Sequence, residues 1–76
     1  MIWQDKPIAE RKAEGRRFAN ARLALGYKSQ RAMADGWGEK WGVSYSTINS
    51  IECGRRKAKP WMWRVLRVEN KAKRVR

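Results

Sequence analysis

The sequence predicts an all-α domain of four helices, or five. No stretch alternates apolar and polar residues for long, so nothing reads as a strand. Four segments carry helical spacing, and their borders hold capping residues, prolines at first-turn positions and stop glycines. The length, 76 residues, allows one small domain with a modest core. A dimer contact or a ligand would add stability to so short a chain. Residues 1–70 form the expected domain and 71–76 a basic tail outside it. No internal repeat is present.

The first helix starts near Pro7 and stops at Gly26. Phe18, Ala21 and Leu25 form its apolar stripe, with Arg22 beside it. Gly15 either weakens the middle of this helix or lets another helix approach closely. Arg11, Lys12, Arg16 and Arg17 make a cationic face that is solvated or lies near phosphates. Ser29 caps the second helix, and Met33 is a core candidate. Glycines at 36, 38 and 42 argue against a continuous helix beyond Ala34, so a loop or a broken helix end is expected there. Trp41, directly before Gly42 and Val43, is the better core candidate; Trp37 is left open as core, exposed or interfacial. The fourth helix opens at Pro60. Trp61, Val65 and Val68 share one of its faces, and Met62, Leu66 and Glu69 an adjacent one. That apolar surface exceeds what one small core needs, and part of it suits a subunit contact.

The third helix carries the functional signal. Ser44 caps it and Gly54 supplies a left-handed residue to end it. Ile48 and Ile51 give one narrow apolar edge; Tyr45, Ser46, Asn49 and Ser50 are neutral and polar. A surface helix normally puts charge on its open face. Here the charge lies outside the helix, in Arg55, Arg56, Lys57 and Lys59. Neutral hydrogen-bonding groups flanked by cations suit base edges flanked by phosphates. Glu52 is the lone acid of this helix, close to the core, and needs a cationic partner.

The whole chain agrees with a polyanionic partner. Its formal net charge is +12, with 19 Lys and Arg against 7 Asp and Glu. One cysteine and no histidine exclude an intrachain disulfide framework, a His/Cys zinc site and histidine catalysis. Paired catalytic carboxylates, a phosphate loop and a nucleophile–base set are all missing, so no enzyme, catalytic residue, metal, cofactor or small-molecule ligand is expected. Cys53 reads as a partly exposed thiol without a role, with a redox sensor as the alternative. No apolar run approaches a membrane span and no signal-peptide core follows the N-terminus, so no membrane is expected and the location is cytoplasmic.

Residues 15–66 resemble the DNA-binding domain of the lambda-repressor/Cro family, the xenobiotic-response-element type of helix-turn-helix. The first-helix pieces are Gly15-Arg16-Arg17-Phe18 and Arg22-Leu23-Ala24-Leu25-Gly26. Ser29-Gln30 with Met33-Ala34 resembles the start of the second helix. The most specific string runs from Gly42-Val43-Ser44 through Ser46-Thr47-Ile48 to Ile51-Glu52-Cys53-Gly54. The resemblance implies a transcriptional repressor of phage or mobile-element type, acting as a homodimer on an inverted-repeat operator in double-stranded DNA. It implies that Tyr45, Ser46 and Ser50, with Asn49 beside them or on the backbone, read bases from recognition helix 44–53. Ser29 and Gln30, and Arg55, Arg56, Lys57 and Lys59 of loop 55–59, would contact phosphate. Arg22 and Glu52 would form a structural pair between the first and third helices.

Two features depart from the family pattern. The stretch from Met33 to Val43 is about four residues longer than usual, close to one helical turn, so either helix two is extended or a loop replaces the turn, and Gly36 and Gly38 favour the loop or a broken helix end. The usual fifth helix has no counterpart; Trp3, Trp61 and Trp63 are expected to replace its packing within the monomer or between subunits. Other classes remain as alternatives. An RNA-binding module would use the tryptophans to stack on unpaired bases. A small phage protein could act on a host protein through its tryptophan surface. A membrane-active peptide would segregate charge along one helix, which the glycines and caps here oppose.

Overall fold

The computed structural model describes residues 3–74. A short 3₁₀ turn, Trp3–Asp5, precedes four helices: α1, Ile8–Ala24; α2, Gln30–Trp41; α3, Tyr45–Glu52; and α4, Pro60–Arg74. The described residues contain no strand. The expected borders hold where the chemistry is local. The Ser29 hydroxyl accepts from the Ala32 N–H at 3.0 Å, and the Ser44 hydroxyl accepts from the Thr47 N–H at 3.2 Å.

α3 ends in a Schellman motif. Gly54 takes a φ of +82°, its N–H reaches the Ile51 carbonyl, and the Arg55 N–H reaches the Ser50 carbonyl at 2.9 Å. α1 crosses α3 at Gly15. A Cβ there would lie 2.5 Å from the Glu52 carbonyl oxygen, so close approach is the role of this glycine.

The core lies where the four helices meet. Phe18 of α1, Met33 and Trp37 of α2 and Ile48 of α3 are fully buried. Val43, Ile51, Ala58, Met62 and Leu66 complete it. Rings knit the layers together: Phe18 meets Trp37 and Trp63 edge-on at 6.3 and 5.6 Å, and Trp37 stacks on Trp61 at 6.1 Å. The Trp3 indole N–H donates to the Gly54 carbonyl at 3.2 Å. The three surplus tryptophans thus pack within the monomer.

Three expectations are overturned. Residues 35–38 form no loop or broken end, because α2 runs unbroken to Trp41 and the four extra residues add a turn to it. The core tryptophan is Trp37, whereas Trp41 is 46% exposed. Both corrections share one cause. Each interior glycine costs about 1 kcal/mol against alanine. A buried tryptophan is worth about 3–5 kcal/mol against alanine. The continuous helix places Trp37 one turn after Met33, and its indole N–H donates to Glu69 Oε1 at 3.0 Å. Gly36 contributes by leaving room for the Tyr27 ring, whose hydroxyl would stand 3.0 Å from a Cβ there. Burial, followed by the nearby Glu69 carboxylate, pushes the Tyr27 phenol above its usual 10.0 and keeps it neutral. The third correction is at the C-terminus. α4 continues through Asn70 to Arg74 where a tail was expected, and residues 75–76 lie outside those described.

Trp37→Ala should lower unfolding stability by about 3–5 kcal/mol in urea titration. Trp41→Ala, at a half-exposed site, should cost clearly less. Equal costs would contradict the placement of Trp37 in the core.

Candidate nucleic-acid interface

α3 turns Ile48 and Ile51 into the core and leaves the opposite face open. Tyr45 and Ser46 are exposed, and Asn49 and Ser50 are half-buried. The helical period brings all four to one face, with exposed Cys53 at its C-terminal end. The Cys53 thiol donates to Asn49 Oδ1 at 3.4 Å, which draws the Asn49 carbonyl toward that end. Among the described residues, α3 itself puts no charged side chain on this face.

Cations border it on three sides. At one end the Arg31 guanidinium lies over the Tyr45 ring, 5.1 Å from its centroid. Along α1, Lys12 and Arg16 line a cleft with Gln30, Glu52 and Cys53. Beyond α3, Arg55, Arg56, Lys57 and Lys59 are all exposed. Their loop is anchored, since the Arg55 and Arg56 N–H groups both donate to the Ser50 carbonyl and Ala58 is buried between the two lysines. These four cations, Ser50 and Trp3 line an open pocket of about 480 Å³. Cations on an anchored loop meet a polyanion with less ordering cost than cations on a free tail.

The orientation of this face depends on a buried ion pair. Arg22 Nε donates to Glu52 Oε2 at 2.8 Å, and a second guanidinium nitrogen reaches Oε1 at 3.3 Å. The two side chains are only 10% and 8% exposed. The Gln30 amide also donates to Glu52 Oε1, at 3.0 Å, and the remaining Arg22 nitrogen donates to the Tyr27 carbonyl at 2.8 Å. One network therefore fixes α1, the α1–α2 turn, α2 and α3. Gln30, expected at a phosphate, commits its amide nitrogen to this network. Ser29 stays exposed, with its oxygen used as a cap.

The structure thus gathers Tyr45, Ser46, Asn49 and Ser50 on one face, with the basic loop at its edge. Sequence reasoning missed Arg31, which is distant from Tyr45 in the chain, and the packing of Trp3 under the basic loop. For Lys12 and Arg16 the sequence left solvent and phosphate as alternatives; they flank the α3 face, whereas Arg17 lies over Trp63, 5.6 Å from that ring's centroid. Among the described residues no helix is long and apolar enough to cross a membrane. No protein-family model, curated protein or solved structure matches this chain.

Removing one member of a buried ion pair strands the other, at about 3–5 kcal/mol. Arg22→Ala and Glu52→Ala should each lose about that much in denaturant titration. The double variant should lose far less than the sum, because no charge is left unpaired. Additive losses would show that the pair is not coupled.

Proposed function

We propose that the chain is a sequence-specific regulator that binds double-stranded DNA with α3 in the major groove. The carrying observation is the uncharged, hydrogen-bonding face of α3 between cations on α1, on α2 and in the 55–59 loop. An α-helix fits the major groove, where base edges offer distinct donor and acceptor patterns. On this reading α2, the turn 42–44 and α3 form a helix-turn-helix of the lambda-repressor/Cro kind, with α2 one turn longer.

Tyr45, Ser46, Asn49 and Ser50 meet base edges; Arg55, Arg56, Lys57 and Lys59 meet phosphates. No bidentate Arg–guanine pair stands among the four, so each contact contributes about 1 kcal/mol of discrimination. Phosphate neutralisation releases counterions and makes affinity fall steeply with salt. Repression follows from occupying a promoter in the cytoplasm.

Two copies bind an inverted repeat. Trp61, Val65, Val68 and Ala72 follow one another at spacings of four, three and four along α4, the spacing of a helix–helix seam. Val68 and Ala72 are exposed, Trp61 and Val65 are half-buried against the chain's own core, and no charge interrupts the stripe. A charge-free seam is where two such cationic chains meet with least repulsion. Burial of the tryptophans favours duplex DNA over unpaired RNA. Trp37 is buried, and Trp3, Trp61 and Trp63 are packed against the chain, which leaves half-exposed Trp41 as the most open indole for base stacking.

Ser46→Ala and Ser50→Ala should weaken binding to the selected sequence while nonspecific affinity holds. Arg56→Ala should weaken both and reduce the salt slope by about one unit. Fluorescence anisotropy over a salt series reads these effects. Equal losses on every sequence for Ser50→Ala would remove it from base reading.

A further inference from the structure

A second basic surface lies in a groove between α1, the loop and α4, lined by residues outside the α3 face except for shared Lys57. Its volume is about 640 Å³, within the range of binding sites for small ligands and peptide side chains. Ala21, Ala58, Trp63 and Leu66 supply apolar walls. Arg17, Lys57, Arg64 and Arg67 supply charge, against a single carboxylate, Glu14. The Arg17 guanidinium is held over the Trp63 ring at 5.6 Å, beside those walls. Glu14 Oε2 is buried and has no hydrogen-bond partner among the described residues.

These features select an occupant. Four cations call for an anion, and the apolar walls call for a hydrocarbon or aromatic side chain. A nucleic-acid strand meets the first requirement, but its bases would need an open ring face, and Arg17 already lies over Trp63, the one aromatic ring lining this groove. A second copy of the chain is a poor fit, because its acidic residues come at most as helical pairs, Glu10 with Glu14 and Asp35 with Glu39, and each pair has a cation next to it in sequence, Arg11 or Lys40. The geometry points to an acidic peptide segment of a different protein, with at least one apolar anchor, as the ligand of this groove. The inference stands independently of what α3 reads. Lys57 also lines the pocket beside α3, so groove occupancy and phosphate contact compete for one side chain.

The probes are three fluorescein-labelled chains: a peptide of repeated Glu-Glu-Leu units, a peptide of Glu-Glu-Ser units of equal length and charge, and single-stranded poly-dT. Anisotropy titrations with the full chain should show the Leu peptide binding at least about tenfold tighter than the Ser peptide, or about 1.4 kcal/mol. The double variant Arg64→Gln/Arg67→Gln changes two exposed side chains and should keep its circular dichroism spectrum. It should lose Leu-peptide affinity by about tenfold while duplex affinity changes by no more than about twofold. Equal affinity for the two peptides would reduce the groove to a general anion surface and overturn the proposal. Leu-peptide binding unaffected by the double variant would place the peptide elsewhere. Preferential capture of poly-dT that is lost in the double variant would make the groove a single-strand site. Self-association lost in the double variant would make it a contact between copies of this chain.

Discussion

The Arg22–Glu52 pair is the constraint on which the arrangement rests. Burying two charges is costly, and only good geometry with further hydrogen bonds offsets the loss of water. Both conditions are met, through two guanidinium–carboxylate contacts, the Gln30 amide and the Tyr27 carbonyl. Because the partners come from α1, α2 and α3, rotating any one of these helices breaks a buried bond. Gly15 makes the pairing possible by letting α1 approach the last turn of α3. The outward direction of Tyr45, Ser46, Asn49 and Ser50 follows, since α3 is held at its C-terminal end by the ion pair and along its inner edge by Ile48 and Ile51.

What the sequence disclosed and what it hid divide along the range of the forces involved. Caps and stops act within one turn, so Ser29, Ser44, Gly54 and Pro60 were legible as helix borders. The Arg22–Glu52 pair was legible because a lone acid near a core needs a cation. Residues 35–41 were misread for the opposite reason. Glycine propensity is local and weak, and the burial of Trp37 that outweighs it depends on Phe18, Trp61 and Glu69 far along the chain. The spacing of Met33 and Trp37 held a signal for a continuous helix, but it becomes decisive only once both are known to be buried.

The candidate site divides the same way. Its four neutral side chains share one short helix, so their common face was readable from the period alone. Arg31 over Tyr45 and Trp3 beneath the basic loop join segments separate in sequence, and no local pattern announces them. The excess charge also becomes interpretable only in three dimensions. Lys12, Arg16 and the 55–59 loop surround α3, whereas Arg17, Arg64 and Arg67 gather at the α1–α4 groove. Nine of the 19 cations thus fall on two surfaces of different chemistry, one with a neutral polar centre and one with apolar walls.

The most direct test of the central claim is selection from a randomised duplex library near physiological salt, with sequencing of the retained fraction. The account predicts an enriched inverted repeat with half-sites about 10 base pairs apart, which places two copies of α3 on one side of the duplex. Strong binding at low salt with no enriched sequence would contradict it, leaving only electrostatic attraction between a cationic chain and DNA.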